Sequence, residues 1–435
     1  MKKASVTLPF IYLFLVTISL SSCKKEVSVQ NKNDAVYARI DSLIEHKDFF
    51  TAREEYRQNR KRLSTFQLLA TGAFLDNAFN RPNISAGKVE KLFRDHSEAL
   101  NDTLAMRLKS IVLNNYIRLY EYKRAKETAE DLLTHYSRVM TPEKIEDHQN
   151  MLHIWKALQD QPKQEVRIPR EVNLPIIKDK AGLKTIEVKS GSSAEKFVFD
   201  TGANFSTITE SMAVLFQMKM LQGTFEVKSI TGDKIQSQVA IAPEIKLGTI
   251  SIKNAVFLVF PDEALAFPQI DYQISGIIGF PVIEALNEIQ ITADDRFLVP
   301  KTPSRPFERN LALDFLTPLL LLEDNYGTGT YTFDTGADKT MLYNTYFEKY
   351  LVEDVTSMNE VSHNFGGAGG QSSKKGFYIT FQPVVHGNVL ELDSVSVFSE
   401  VINPENKYLG NIGQDFIGKF SKMTINFDQM FVRFD

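Results

Sequence analysis

The chain has 435 residues, of which 43% are hydrophobic and 24% are charged, and it carries a net charge of −4. This composition is that of an ordinary globular protein, and it excludes an intrinsically disordered chain and a polytopic membrane protein. At about 100 to 200 residues per domain, the length predicts two to four domains. With 50 basic and 54 acidic residues, the chain has no basic excess to hold a phosphate backbone, so nucleic acid is not expected as a partner.

The first 22 residues have the pattern of an export signal. Two lysines precede an apolar stretch of about 15 residues, and Leu20-Ser21-Ser22-Cys23 closes that stretch with small residues. This ending resembles the lipobox of bacterial lipoprotein signal peptides, which implies cleavage before Cys23 and acylation of its sulfur. The apolar stretch is shorter than the ~20 residues of a membrane-spanning helix, and an uncleaved anchor is the alternative. Both alternatives predict a membrane-anchored protein of the cell envelope that faces the periplasm or the cell surface.

Residues 34–161 follow the acylated cysteine and polar spacer of 23–33, and they show helical periodicity. Two apolar stripes, the first from Ala105 to Leu119, predict a helical hairpin that turns near residues 121–123. The second stripe comprises Ala125, Thr128, Ala129, Leu132, Leu133 and Tyr136. The spacing Phe49-x-x-Ala52 recurs as Tyr122-x-x-Ala125, which weakly resembles tetratricopeptide repeats and implies a protein partner. An irregular helical bundle is the alternative.

Prolines end the helical pattern at residues 162, 169 and 175, so a linker is expected over 162–175. Beyond it, apolar and polar residues alternate and turn residues are frequent, which predicts an all-β region. A second proline cluster divides this region into halves at 176–299 and 311–435, joined by a linker at 300–310.

The two β halves contain the same five residues. Phe199-Asp200-Thr201-Gly202-Ala203 recurs as Phe333-Asp334-Thr335-Gly336-Ala337, at an offset of 134 residues (334 − 200). The same offset relates Gly276-Ile277-Ile278-Gly279 to Gly410-Asn411-Ile412-Gly413. At average residue usage, the chance of such a repeated pentapeptide is well below about one in a million. A tandem duplication is the simplest explanation.

These paired motifs strongly resemble the aspartic protease family. The two copies on one chain are similar to pepsin-like enzymes, and the Asp-Thr-Gly-Ala spelling is similar to retroviral-type proteases. The resemblance implies a mainly β, two-lobed acid-protease barrel fold, which here follows an all-α helical-hairpin domain. It also implies one catalytic aspartate from each lobe, Asp200 and Asp334. Because one chain supplies both, dimerisation is not required to complete the site.

The resemblance assigns supporting roles to further residues. Thr201 and Thr335 are expected to hydrogen-bond across the lobe interface, and Gly202 and Gly336 to let the backbone approach the carboxylates. The segments 276–279 and 410–413 are expected to hold the two aspartate loops. Flap candidates are the glycine tips of two hairpins, for which plain hairpin loops are the alternative. Their residues are Thr231 and Gly232 in the first half and Gly366 and Gly367 in the second.

The chemistry explains why two carboxyl groups occur together. Two carboxylates a few ångströms apart share one proton, so one member can take a proton from water while the other polarises a peptide carbonyl. This reaction requires no metal and no cofactor. Pepsin-like enzymes usually carry a hydroxyl at the positions of Ala203 and Ala337, and its loss should raise the apparent pKa values of the pair. We therefore expect activity at mildly acidic to near-neutral pH.

Other sites have little support in the sequence. The seven histidines show no His-Glu-x-x-His spacing, there is no Gly-x-Ser-x-Gly elbow, and the single cysteine excludes thiolate metal clusters. The sequence thus predicts an aspartic endopeptidase of the bacterial cell envelope that hydrolyses extended peptide segments. A non-catalytic peptide-binding or scaffolding lipoprotein is the alternative. A third hypothesis makes the helical domain an assembly module whose client the protease processes.

Overall fold

The computed structural model describes residues 34–228, 234–268, 271–305, 307–353, 359–367, 370–403 and 406–435. The predicted signal segment and Cys23 lie outside these residues. The described chain has an N-terminal helical region followed by extensive β-sheets, which confirms the predicted combination of an all-α part with a mainly β part. Within the described residues, no helix is both long and apolar enough to span a membrane.

The helical region begins with six helices in three consecutive pairs and ends with a seventh. They are α1 (34–45), α2 (Phe49–Asn59), α3 (Thr65–Ala78), α4 (Pro82–Asp95), α5 (Asp102–Arg118), α6 (Tyr122–His135) and α7 (Pro142–Leu158). Each pair is joined through one residue with left-handed backbone, at Lys47, Asn80 and Tyr120. The predicted hairpin is α5–α6, and its connection covers residues 119–121 rather than 121–123 because α6 already begins at Tyr122.

Side-chain caps and prolines fix where several of these helices begin. Ser64 and Gln67 form a capping box at α3, in which each side chain hydrogen-bonds the other residue's backbone N–H. The Thr141 hydroxyl accepts from the Lys144 N–H at the start of α7, where Pro142 occupies a first-turn position that needs no N–H donor. The sequence therefore sets these boundaries locally.

The first half of the β region, which we call the first repeat (176–299), and the segment before it contain fifteen described strands and two described α-helices. They are β1 (Glu165–Arg167), β2 (Val172–Pro175), β3 (Ile177–Lys178), β4 (Lys184–Ser190), β5 (Ser193–Phe199), β6 (Ser206–Thr209), α8 (Glu210–Leu215), β7 (Lys219–Met220), β8 (Phe225–Lys228), β9 (Lys234–Leu247), β10 (Ile250–Phe260), β11 (Ala266–Phe267), β12 (Tyr272–Gln273), β13 (Gly276–Ile278), α9 (Phe280–Ala285), β14 (Glu288–Thr292) and β15 (Arg296–Val299).

The second half, which we call the second repeat (311–435), follows the same plan. Its described elements are β16 (Leu311–Asp314), β17 (Thr317–Asp324), β18 (Gly327–Phe333), β19 (Met341–Leu342), α10 (Asn344–Tyr350), β20 (Val361–Gly367), β21 (Gly370–Phe381), β22 (Pro383–Val385), β23 (Asn388–Val389), β24 (Leu392–Phe398), β25 (Gly410–Ile412), α11 (Gln414–Ile417), β26 (Lys422–Asn426) and β27 (Phe431–Phe434).

Each repeat forms the body of one ten-stranded sheet, to which β1 adds a strand from before the first repeat, and the same short strand takes the same place in both sheets. In the first repeat, β13 pairs in parallel with β5 and antiparallel with β6. In the second repeat, β25 pairs in parallel with β18 and antiparallel with β19. The internal sequence repeat is therefore also a repeat of topology. The segments 276–279 and 410–413, which are related by the 134-residue offset, lie at the centre of their sheets.

A third sheet joins the two repeats. Its five strands run in the order β2-β15-β14-β26-β27, so three come from the first part of the β region and two from its end. Residues 162–175, predicted as a linker, differ from that expectation. They contribute β1, which pairs with β10, and β2, which forms an edge of the joining sheet, because edge strands tolerate the prolines that suggested a linker.

Glu288, at the start of β14, is a buried carboxylate in the joining sheet. It accepts hydrogen bonds from the Ser304 N–H and hydroxyl, both at 2.7 Å, and from the Asn426 amide at 2.8 Å. Burial raises the pKa of Glu288, but these hydrogen bonds and one from Gln290 outweigh burial and hold the pKa below its usual value. Glu288 thereby fixes the connection between the repeats to the sheet that joins them.

We expect Glu288→Gln to lower the free energy of unfolding by about 1 to 3 kcal/mol at neutral pH, because hydrogen bonds to a charged acceptor are lost. A depressed pKa in the folded state adds stability that is present above the unfolded pKa of about 4.3 and is lost as the pH falls through the folded pKa. The difference in the free energy of unfolding between wild type and Glu288→Gln, measured by urea unfolding, should therefore shrink as the pH falls below about 4.3. A constant difference, or an equal effect of Glu323→Gln at an exposed site, would contradict this.

The helical region packs against both repeats. Arg118 of α5 pairs with Glu284 of α9 at 2.9 Å, and the Tyr120 hydroxyl donates to the Pro281 carbonyl at 3.0 Å. On the other repeat, the Asn80 amide donates to the Phe427 carbonyl at 2.8 Å. The helical region therefore contacts both repeats of the β region.

Candidate active site

Each of the two repeated aspartates directly follows a central strand. Asp200 comes after β5 and Asp334 after β18, and both backbones continue the pairing with the short glycine-containing strand beside them. The Asp200 N–H donates to the Ile278 carbonyl at 3.1 Å, and the Asp334 N–H donates to the Ile412 carbonyl at the same distance. The main chain therefore positions both aspartates in equivalent ways.

The glycines that end these short strands allow the aspartate loops to close. A Cβ on Gly279 would collide with the Phe205 carbonyl group, and a Cβ on Gly413 would lie 2.7 Å from the Lys339 carbonyl carbon. Just beyond each glycine, a helix N–H donates back to the loop, from Phe280 to the Ala203 carbonyl at 2.8 Å in the first repeat. The segments 276–279 and 410–413 thus lie against the loops, at the place predicted for them.

Thr201 and Thr335 connect the two repeats through four hydrogen bonds. Each threonine N–H donates to the hydroxyl of the other threonine, at 3.1 Å and 3.0 Å. Each hydroxyl in turn donates to the carbonyl that precedes the opposite aspartate, on Phe333 at 2.8 Å and on Phe199 at 3.0 Å. Both side chains are buried. The structure therefore brings the two predicted threonines together and fixes one aspartate loop relative to the other.

Gly202 and Gly336 show how close the two carboxyl groups lie. A Cβ on Gly202 would be 2.6 Å from the carboxyl carbon of Asp334, and a Cβ on Gly336 would be closer still to that of Asp200. Any side chain at either position would therefore displace the carboxyl group of the other repeat. Glycine is required here for close approach, and the structure places both glycines between the two aspartates.

The backbone also supplies donors to each carboxylate. The Gly202 and Ala203 N–H groups donate to Asp200 Oδ1 at 2.7 Å and 3.2 Å. In the second repeat, the N–H groups of Gly336 and Ala337 donate to Asp334 Oδ1 at 2.8 Å and 3.1 Å. One oxygen of each carboxyl group is therefore held by its own loop, and the second oxygen is left for other partners.

The pair of carboxyl groups is electrostatically coupled. Burial raises the pKa of Asp200 well above its usual value, and the neighbouring charge of Asp334 and a hydrogen bond with it raise the pKa further. The two backbone donors lower it by a smaller amount. Such a pair holds a proton at a pH where isolated carboxyl groups have lost theirs, which suits it to general acid–base chemistry.

The second repeat has a polar contact that the sequence analysis did not single out. The Asn411 amide donates to Asp334 Oδ2 at 3.2 Å, and its own carbonyl oxygen accepts from the Thr332 hydroxyl at 2.6 Å. A signal was available, because the 134-residue offset aligns Asn411 with Ile277. The alignment shows that the two repeats differ there, but it does not show which group the amide contacts.

The structure describes two of the four flap candidates. Thr231 and Gly232 fall outside the described residues, but the stem on either side is formed by β8 and β9, which pair antiparallel. Gly366 and Gly367 are the last residues of β20, which pairs with β21 on the other side of the tip. The structure thus places Gly366 and Gly367 at a hairpin end, and β20 is an edge strand of its sheet.

Helix α7 lies against the stem of the first hairpin. The Asn150 amide hydrogen-bonds both the N–H and the carbonyl of Glu226 in β8, and Lys234 at the start of β9 pairs with Glu146 at 2.7 Å. Further along the same helix, Trp155 packs on Phe205, which follows the Asp200 loop, with ring centroids 6.1 Å apart. One helix therefore contacts both the hairpin stem and the segment behind an aspartate.

Metal-ligating groups do not gather elsewhere in the part of the chain that the structure describes. There, no cluster of three or more histidine, cysteine, aspartate or glutamate side chains is arranged to hold a metal ion.

Of the predicted site residues, the structure brings together Asp200 and Asp334 with the two supporting threonines and the two supporting glycines.

Comparison with known proteins identifies part of this arrangement. Residues 185–282 match the model of a family described as aspartyl protease. The match runs from β4 into α9 and therefore includes Asp200, its loop and the Gly279 strand. No curated protein matches the chain. The first repeat is thus an aspartyl protease-like domain, as the paired motifs predict.

Proposed function

We propose that this protein is an aspartic endopeptidase of the bacterial cell envelope. One observation carries the proposal: the carboxyl groups of Asp200 and Asp334 come from two repeats of one chain and meet across a hydrogen-bonded interface. The family match supports protease activity in general. The second repeat reproduces the local geometry of the first, and this supports a two-lobed enzyme that is complete without a second copy of the chain.

The proposed reaction follows from the shared proton. One carboxyl group is ionised and takes a proton from a water molecule, whose oxygen attacks the peptide carbonyl carbon. The protonated carboxyl group donates to the carbonyl oxygen and so stabilises the charge that develops there. When the tetrahedral intermediate breaks down, the C–N bond is cleaved and the leaving nitrogen accepts the proton that the first carboxyl group took from water, while a hydroxyl proton of the intermediate returns to the second carboxyl group. Each carboxyl group acts once as an acid and once as a base.

The proposed substrate is an extended peptide. Edge strands with unpaired backbone groups bind extended chains by strand addition, and β20 is such an edge next to the second hairpin tip. The first hairpin, with its stem in β8 and β9, is the proposed cover on the other side. Recognition through backbone hydrogen bonds would tolerate varied side chains, so we expect a broad cleavage preference.

The proposed location rests on the N-terminal sequence. If Cys23 is acylated, cells that express the protein should incorporate labelled fatty acid into it, and Cys23→Ser should abolish the label. The same substitution should move the protein from the membrane fraction to the soluble fraction. A wild-type protein without label would contradict the lipoprotein proposal, and a labelled variant would place the acyl group elsewhere. The helical region is a proposed binding module for a protein partner.

The test of the enzymatic proposal uses the chain from Lys24 to Asp435, which retains every described residue. It is incubated with a mixed peptide library from about pH 3 to 8, a range that brackets the titration of coupled carboxyl groups. We expect cleavage that is lost in Asp200→Asn and in Asp334→Asn. Peptide binding without cleavage would instead support the non-catalytic peptide-binding protein.

A further inference from the structure

The two repeats differ at one pair of facing residues next to the aspartates. In the first repeat, Val198 of β5 faces Ile277 of β13 in the parallel pairing. In the second repeat, the equivalent register places Thr332 of β18 opposite Asn411 of β25. Both members of the pair are therefore apolar in one repeat and polar in the other, although the surrounding strands are equivalent.

In the second repeat these polar side chains form a chain of hydrogen bonds that ends on Asp334. The Thr332 hydroxyl lies 2.6 Å from the side-chain oxygen of Asn411 and 3.2 Å from the Gly410 carbonyl oxygen, and the Asn411 amide nitrogen donates to Asp334 Oδ2 at 3.2 Å. When the hydroxyl donates to the amide oxygen, which is the nearer of its two acceptors, the amide nitrogen points at the carboxyl group. Asn411 is buried, so water competes weakly for these bonds.

The first repeat offers no such donor to Asp200. Ile277 and Val198 have no polar side-chain atom, and Ala203 has no hydroxyl. Among the described residues, the side chain of Asp200 has hydrogen bonds only with the two backbone N–H groups of its own loop and with Asp334. Asp334 accepts from the two equivalent backbone N–H groups of its own loop and, in addition, from the amide of Asn411.

An amide N–H donor stabilises a carboxylate more than a neutral carboxyl group, because the charged acceptor forms the stronger hydrogen bond. We propose that Asn411, held in orientation by Thr332, keeps Asp334 ionised and leaves the shared proton on Asp200. Asn411 is thus a positioning residue for the proton of the pair. This inference rests on the proposed function and deepens it, since it assigns the two chemical roles to particular aspartates.

The assignment makes the reaction directional. Asp334 takes a proton from water while the water oxygen bonds to the carbonyl carbon, and the proton of Asp200 passes to the carbonyl oxygen. The C–N bond then breaks as the nitrogen accepts the proton held by Asp334, and a hydroxyl proton of the intermediate returns to Asp200. One water is consumed, and both aspartates end in their starting states.

The other ionisable groups near the pair do not supply this asymmetry. Burial raises the pKa of Tyr343 to about 12, so its phenol is neutral over the range of interest. Asp415 lies behind the second loop, where its carboxylate accepts from the Thr340 N–H and hydroxyl at 2.8 Å and 2.7 Å. Burial together with the charge of Asp334 raises the pKa of Asp200, as a group that keeps the proton requires.

The test places the apolar residues of the first repeat at the equivalent positions of the second. Asn411→Ile should raise the lower apparent pKa in the pH profile of kcat/KM by about 1 unit, because a hydrogen bond to the charged form is lost. Thr332→Val should move this pKa in the same direction by less, and Thr332→Ser, which keeps the hydroxyl, should leave it unchanged. KM should change little in all three variants. An unmoved acid limb in Asn411→Ile, or equal effects of the Val and Ser variants, would overturn the proposal.

A second readout does not depend on cleavage. The Asn411 amide stabilises the folded state chiefly while its acceptor on Asp334 is charged, so its contribution should be lost as that carboxylate is protonated at acid pH. The difference in Tm between wild type and Asn411→Ile should therefore be larger near pH 7 than at acid pH, and this dependence should disappear when both carry Asp334→Asn. A difference that is the same at every pH overturns the proton assignment even if peptides are cleaved. If no peptide is cleaved, the proposed function fails and this measurement still decides the assignment.

Discussion

Replacing Asp200 or Asp334 by asparagine should reduce kcat by roughly 10³-fold or more, because a carboxyl group that both accepts and donates a proton is lost. Asparagine has nearly the same shape and can keep the loop hydrogen bonds, so the fold should persist. Because the two carboxyl groups act as one unit, the double variant should be little worse than either single variant. Single-turnover cleavage of a peptide selected from the library measures the effect.

Asp338→Asn is the matched control for this pair of substitutions. Asp338 lies four residues after Asp334 in the same loop, but it is exposed. Its replacement should therefore change kcat less than twofold, which corresponds to a change of at most about 0.4 kcal/mol in activation free energy. If one aspartate variant retains most of the activity while the other loses it, a shared two-carboxyl mechanism is wrong. Circular dichroism of each variant would show whether the loss comes from unfolding.

Arg118→Met should lower the free energy of unfolding by about 3 to 5 kcal/mol, because it leaves a poorly solvated carboxylate without its partner. The Arg118 side chain is 1% exposed and that of Glu284 is 14% exposed, and they meet at 2.9 Å. The same guanidinium also donates to the Asn77 carbonyl at 3.0 Å and to the Asn80 side chain. Removing it therefore disrupts both the end of a helical pair and the contact with α9. Denaturant unfolding gives the magnitude.

The pair Arg124–Glu90 provides the comparison within the helical region. Both side chains are about half exposed, at 48% and 53%, so Arg124→Met should cost less than about 1 kcal/mol. In addition, replacing both members of the buried pair should recover part of the loss, since no unpaired charge is then left. Similar losses in Arg118→Met and Arg124→Met would show that burial does not govern the contact. No recovery in the double variant would show that packing, rather than charge, is lost.

Local patterns in the sequence predicted the elements around the two aspartates well. The repeated Phe-Asp-Thr-Gly-Ala, combined with the matching glycine strands at one offset, indicates two equivalent loops, and the family match to residues 185–282 confirms the aspartyl protease-like identity of the first. The alternation of apolar and polar residues likewise predicted the β region that contains β4, β5, β9 and β10. Short-range spacing determines all of these features.

Contacts between distant parts of the chain could not be predicted in this way. Residues 162–175 contain prolines and look like a linker, yet their partners β10 and β15 complete them as edge strands. The alignment of the repeats shows Asn411 in place of an isoleucine, but its contact with Asp334 spans 77 residues of sequence. The packing of α7 on the first hairpin stem could not be predicted either, because the periodicity of each element does not indicate which other element it contacts.

The joining sheet has a consequence for how the protein matures. In it, Glu288 and Asn426 hydrogen-bond although they are 138 residues apart in the chain, and such non-local pairing makes folding slow because a long loop must close before the contact forms. A nascent chain that has been synthesised only as far as the end of the first repeat contains Asp200 but not Asp334. In that chain, β14 also lacks its neighbouring strand β26. The carboxyl pair therefore assembles late, after nearly all of the β region has emerged and folded. An export pathway that carries the chain unfolded would deliver it before that assembly is complete.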